Sequence, residues 1–209
     1  MILSDDTSAT TPETDRCTHD AADRLGVTFR EDVVETVRAA PEVFAERHQV
    51  LHGRYGLDAE LRRRAAKTSP ETVNGDQVRT GYDDLSGRER RLVWRLWTLD
   101  TAPLGLTLTG PAFADNPVVY ATRTLRDLTG YTAADLLGEN PRLFQGPETE
   151  REAVTDLREA VASWNEVTVT VTNTHADGTP FRNRVTLAPL SGTDGTVTHW
   201  LGVQERAEA

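Results

Sequence analysis

The sequence predicts an α+β fold: a five-stranded antiparallel sheet with short helices on one face, preceded by an α-helical region at the N-terminus. Three observations carry that prediction. Apolar residues recur at helical spacing from Phe29 to Leu99, then switch after Pro103 to the alternation of strands. The stretch from Glu166 to Gln204 divides into three strand-like runs at the turn signals Asp177-Gly178 and Thr193-Asp194-Gly195. With 209 residues, the chain holds one ordinary domain plus an extension.

Residues 1–24 are rich in Ser, Thr, Asp and Ala and read as a disordered acidic tail. A small helical region is expected over 25–70. Val33, Val34 and Val37 share one face; Pro41 opens a second segment with Val43, Phe44, Val50 and Leu51; a third runs from Leu57 to Lys67 and stops at Ser69-Pro70. Gly, Asn and Asp make 71–86 a linker. Over 87–103 a helix puts Leu92, Leu96 and Leu99 on one face beside Trp94 and Trp97, so that face needs a partner. The sheet domain then occupies 104–206. Strands are expected at Leu104 to Thr109, Pro117 to Tyr120, Glu166 to Thr174, Phe181 to Leu190 and Thr196 to Gln204. Between the second and third lie a helix from Thr122 to Gly130, short turns from Thr132 to Phe144, and a helix from Glu148 to Ser163 with Val154, Leu157 and Val161 inward.

Composition narrows the function. No apolar run is long enough to span a membrane and the N-terminus lacks a signal-peptide pattern, so the expectation is a soluble cytoplasmic protein. A single cysteine, Cys17, excludes a disulfide scaffold and a cysteine-ligated metal site. The net charge of −10 disfavours free nucleic-acid binding. Only Lys67 among the 23 basic residues is lysine, a bias that suits a high-salt cytoplasm or equally a GC-rich genome. Three short helices ending in Arg62-Arg63-Arg64 invite a helix-turn-helix reading. Eight basic against seven acidic residues between Phe29 and Thr68 leave no basic face, which favours a plain helical bundle. His48 and His52 stand four apart, as a metal pair or as surface residues, without a third ligand in sequence. No hydrolytic, metal, phosphate-loop or dinucleotide motif is present, so catalysis is not expected.

The stretch Gly138-Glu139-Asn140-Pro141-Arg142-Leu143-Phe144-Gln145-Gly146, with Asp115-Asn116-Pro117 and Leu128-Thr129-Gly130-Tyr131 upstream and Leu201-Gly202-Val203-Gln204 downstream, resembles the LOV branch of the PAS family, the flavin-binding blue-light sensors. The resemblance covers about half the chain. It implies the PAS/LOV fold, and a photoreactive cysteine at the position where this sequence has Pro141. Without that thiol no flavin-thioether adduct forms; fluorescence, triplet chemistry or photoreduction to the neutral semiquinone remain, the last with Trp200, Trp164, Tyr120 and Tyr131 as candidate electron donors.

The resemblance implies FMN as cofactor, with FAD or riboflavin as substitutes. Arg142 and Arg158 would clamp the phosphate, guanidinium pairing with phosphate oxygens in a planar way. Taken alone, either reads equally as a surface arginine pairing with Glu148 or Glu152. Asn173 and Asn183, ten apart across a hairpin, would meet the pyrimidine edge, and Gln204 would sit beside flavin N5 as the sensor. Asn140 and Gln145 correspond to contacts with the ribityl chain and ring, and Thr109 to a first-strand position near the ring. Phe144, Val154, Leu157, Val185, Leu187, Trp200 and Gly202 would line the slot. The resemblance further implies that the helix over 87–103 packs on the sheet or pairs with its twin, with a homodimer through the N-terminal helices and a downstream protein partner. The alternative is a PAS interaction module without photochemistry.

Overall fold

The computed structural model describes residues 28–208; the expected acidic tail and Cys17 lie outside them. Helix α1 (28–38) is followed by α2 (Pro41–Tyr55), α3 (Ala59–Lys67), α4 (Gly75–Val78) and α5 (Gly87–Trp97). The sheet domain comprises β1 (Gly105–Thr109), β2 (Val118–Ala121), α6 (Arg123–Thr129), α7 (Ala133–Leu136), the 3₁₀ turn Pro141–Phe144, α8 (Arg151–Ser163), β3 (Val167–Thr174), β4 (Pro180–Ser191) and β5 (Val197–Arg206). The strands run in the order β2-β1-β5-β4-β3, and every pair is antiparallel. The expected five strands are all present.

Both faces of the sheet are covered. Leu106 and Leu108 of β1, Ala188 and Leu190 of β4, and Leu201 and Val203 of β5 join one core with Val33, Val37, Phe44, Leu92, Leu96 and Trp97. The N-terminal helices therefore form a layer on one face, where burial of their apolar stripes is the main stabilising contribution. Alternate residues of the same strands turn to the opposite face, towards α8 and the Pro141–Phe144 turn. Helix α5 begins with a full capping box, Ser86 and Glu89 each accepting from the other's backbone amide. Its Trp94 donates from Nε1 to Thr68 Oγ1 at 2.9 Å, and Trp97 lies under the Arg64 guanidinium at 4.9 Å.

Three expectations need correction. The presumed linker is packed structure: Asn74 caps α4, Val78 and Tyr82 are buried, and the Tyr82 hydroxyl donates to the Pro70 and Arg90 carbonyls at 3.0 and 3.1 Å. A Gly/Asn/Asp-rich stretch folds here because Val78 and Tyr82 are buried in the core and Val73 and Leu85 pack against it. In α2, Val43 and Val50 face solvent, and the buried face is Phe44, His48, Leu51 and His52. The two histidines are accordingly not a surface pair, and no third ligand joins them among the described residues. Their rings contact each other at 4.5 Å, and burial pushes the His48 pKa down to about 4.

Candidate functional site

The polar face of the sheet and the turn opposite it enclose a cavity of about 300 Å³, at the low end of the roughly 300–1,000 Å³ usual for small-molecule sites. Every site residue expected from sequence lines it except Asn183: Thr109 from β1, Asn140, Arg142, Phe144 and Gln145 from the turn, Val154, Leu157 and Arg158 from α8, Asn173, Val185 and Leu187 from β3 and β4, and Trp200, Gly202 and Gln204 from β5. Asn183 is fully buried and touches the lining residues Asn173 and Gln204. Its Nδ2 donates to Asn173 Oδ1 and to Gln204 Oε1, both at 2.8 Å. The register explains the triad, since Asn183 pairs with Val171 on β3 while Val185, two residues along β4, pairs with Gln204 on β5.

One atom of the triad is left over. Asn183 Oδ1 is buried and has no hydrogen-bond partner among the described residues. Such an acceptor costs about 1–3 kcal/mol unless a donor reaches it. A ligand edge that offers an N–H between carbonyls fits this set of carboxamides, which supply both donors and acceptors. A pyrimidine-type ring is such an edge. The floor of the cavity is flat at Gly202, where a Cβ would lie 2.4 Å from Thr107 Oγ1.

The other end of the cavity is cationic. Arg142 pairs with Asp115, and both side chains are exposed at the rim. Neither Glu148 nor Glu152 is its partner. Arg158 has no hydrogen-bond partner among the described residues, and its guanidinium therefore remains available to an anion. Asn140 is already engaged: its Oδ1 accepts from the Arg142 amide at 2.9 Å and its Nδ2 donates to the Asp115 carbonyl at 2.6 Å. It caps the Pro141–Phe144 turn, with Pro141 at the first helical position, where a missing N–H costs nothing. Asp115 and Asn116 hold left-handed backbone, at φ 66° and 48°, a conformation that Asp and Asn tolerate better than most residues. Glu150, at the start of α8, accepts from the Thr172 amide at 2.7 Å; this bond holds its carboxyl down to about 2 and fixes α8 to β3.

Six lining residues lie outside the set expected from sequence: Thr107, Asp115, Asn116, Pro141, Val161 and Val171. Thr107 and Val171 belong to the same strand faces as Thr109 and Asn173, two residues earlier, so strand alternation could have found them. Thr107 Oγ1 accepts from Gln204 Nε2 at 3.5 Å. Asp115 and Asn116 enter the sequence argument only as part of a longer motif, and no local pattern marks their strained turn.

Comparison with known proteins identifies the family of the sheet domain. The family description "PAS domain" matches residues 105–205. A solved light-oxygen-voltage domain, studied with a flavin analogue, is 37% identical; the match covers 53% of this chain and 82% of that one, with a TM-score of 0.51. The chain belongs to the LOV branch of the PAS domains. Among curated proteins, this LOV chain is 38% identical over 109 residues to blue-light-activated histidine kinase 1 of Erythrobacter litoralis, covering 52% of this chain and 30% of the kinase. It is 31% identical over 147 residues to the bacterioopsin transcriptional activator of Halobacterium salinarum, covering 70% of this chain and 22% of the activator. The chain thus spans less than a third of these relatives. In this LOV domain Pro141 lines the cavity itself, and among the described residues no thiol is present. No helix of the described residues is long and apolar enough to cross a membrane.

Proposed function

We propose that this LOV domain binds FMN and senses blue light, redox state or both through one-electron flavin reduction in place of a cysteinyl adduct. The observation that carries the reading is the conjunction at one cavity of Pro141, which cannot form a thioether, with an intact carboxamide triad around the orphaned Asn183 Oδ1. Asn173, Asn183 and Gln204 would hold the ring edge, and Arg142 and Arg158 the phosphate. Val171, Val185, Leu187 and Trp200 on the sheet, with Val154 and Leu157 on α8, would exclude water from the ring. When bound, the flavin supplies light absorption and one-electron chemistry.

Gln204 would report the state of the site. Its carboxamide donates from one end and accepts from the other, so a proton gained at a neighbouring ring nitrogen reverses its preferred orientation. Thr107 and Asn183 are the partners it would exchange. The next residue back, Val203, faces the N-terminal layer and gives its carbonyl to Arg30 Nη1 at 2.6 Å. In this reading the signal passes through β5 to the helices, and from them to a partner protein in the cytoplasm, without catalysis by this chain. Homodimerisation through those helices would use the outer side of α2, where Val43 and Val50 are exposed; light scattering of the full chain reads that state.

Illumination of the purified, flavin-loaded chain under blue light, with and without a mild thiol, tests the proposal. The expected result is a reduced-flavin spectrum that accumulates with thiol and reverts in air. A loaded chain whose spectrum does not respond to light would instead support a PAS interaction module.

A further inference from the structure

We infer that Trp200 is the internal electron donor to the light-excited flavin; this rests on the flavin reading above and specifies its first step. Of the aromatic residues that could serve, the fold brings one indole into the cavity. Trp200 is 1% exposed, lines the cavity, and lies on the same face of β5 as Gly202 and Gln204. Residues two apart on one strand face are separated by about 6.4–6.8 Å. A planar ring held at Gln204 and floored by Gly202 therefore runs along β5 towards Trp200. Across the sheet, Trp200 is flanked by Thr109 on β1 and Pro189 on β4, neither of which oxidises.

The other candidates are placed elsewhere. Trp164 is 67% exposed at the end of α8. Tyr120 belongs to the core on the N-terminal face, and its hydroxyl donates to Asp100 Oδ1 at 2.8 Å. Tyr131 packs edge-on against Phe144 with centroids 5.6 Å apart, so Phe144 separates it from the cavity. Trp94 and Trp97 lie in the helical layer behind the sheet.

The step balances as follows. The excited flavin takes one electron from the Trp200 indole, leaving an indole radical cation. No hydrogen bond joins Trp200 Nε1 to any described residue, so no base stands ready to take its proton, and return of the electron is the default outcome. When a thiol is present it gives one electron to the radical cation, restoring Trp200, and releases its proton to water; paired thiyl radicals end as disulfide. The flavin keeps the electron and takes one proton from water. The indole thus quenches flavin emission in every case and yields net reduction only when thiol is supplied.

Time-resolved flavin fluorescence and thiol-dependent photoreduction of Trp200→Phe, measured at equal flavin content, decide the matter. The expected result is an emission lifetime lengthened several-fold and a photoreduction rate lowered about tenfold, with Trp200→Tyr intermediate. Unchanged lifetime and rate in Trp200→Phe would overturn the assignment. Should that variant fail to hold flavin, transient absorption of the unaltered chain decides instead: an indole radical formed within the emission lifetime supports the assignment, and its absence overturns it. A chain that takes up no flavin at all would overturn the flavin reading itself, a failure distinct from the loaded, unquenched variant.

Discussion

Gln204 holds the residue-scale argument together, because its two hydrogen-bonding ends are tied to different strands. Oε1 accepts from Asn183 at 2.8 Å on β4, whereas Nε2 reaches Thr107 on β1 at a longer 3.5 Å. The weaker tie is the adjustable one. Thr107→Val keeps the side chain's shape and removes the acceptor, and Thr107→Ser keeps the acceptor. The valine variant is expected to shift the flavin absorption band and reduction potential by the equivalent of about 0.5–1.5 kcal/mol, and the serine variant to restore both. Equal shifts in the two variants would mean that packing, and not the hydroxyl, sets the position of Gln204. At this scale the sequence was most informative where polar residues had no reason to be in a strand. Asn173 and Asn183 flank a clear Asp177-Gly178 turn and announce themselves; a threonine at position 107 is ordinary strand composition, and only the structure gives it meaning, its Oγ1 lying 3.5 Å from Gln204 Nε2 and 2.4 Å from where a Cβ at Gly202 would stand.

Among the elements, α2 is where sequence and structure part furthest. Hydropathy assigns Val43 and Val50 to the core and the histidines to water. The fold does the reverse, because Phe44, His48, Leu51 and His52 are spaced as one stripe and the imidazoles pack as neutral rings. His48 Nε2 keeps one contact, to the Thr98 carbonyl at 3.4 Å, while both ring nitrogens of His52 are buried without partners among the described residues. The folded pKa of His48, about 4, lies below its usual 6.5. The unfolded chain therefore binds the proton first, and stability is lost as the pH falls from about 6.5 towards about 4. His48 alone accounts for about 3 kcal/mol across that window, and His52 shifts in the same direction. Denaturant midpoints measured at pH 7 and pH 5 should fall on acidification in the parent and much less in His48→Phe. A parent midpoint that holds steady would show that the histidines are not buried as neutral groups. The boundaries of β1 to β5 were legible because alternation and turn residues agree there; the 71–86 stretch was not, since Val73, Val78, Tyr82 and Leu85, which pack on the core, stand among Gly, Asn and Asp residues that read as a linker.

Seen as a whole, the molecule is a sheet between two layers, and arginines tie the N-terminal helices to the sheet and to one another. Arg30 Nη1 donates to the Val203 carbonyl at 2.6 Å and to Thr186 Oγ1 at 3.1 Å, and its Nη2 to Glu205 at 2.6 Å. Arg38 reaches the Pro189 carbonyl, Arg88 the Ser191 carbonyl, Arg95 the Val37 and Ala39 carbonyls, and Arg79 the Val119 carbonyl. A forked guanidinium serves several carbonyls at once, which a lysine ammonium does less well. The near absence of lysine, read from composition as an effect of salt or codons, thus also has a structural use. Arg30→Ala should destabilise the folded chain by about 2–4 kcal/mol, through a lost charge-assisted network and carbonyls left unpaired. A loss below about 0.5 kcal/mol would show that the helical layer is held to β5 by apolar contacts alone.

The central claim is that this cavity is a flavin site whose cationic end recognises phosphate. Titration of the purified, flavin-free chain with FMN and, separately, with riboflavin tests it most directly. The account predicts one flavin bound per chain, FMN more tightly than riboflavin, and loss of that preference in the Arg142→Ala, Arg158→Ala double variant. A chain that takes up neither flavin, or a double variant that still prefers FMN, would contradict it.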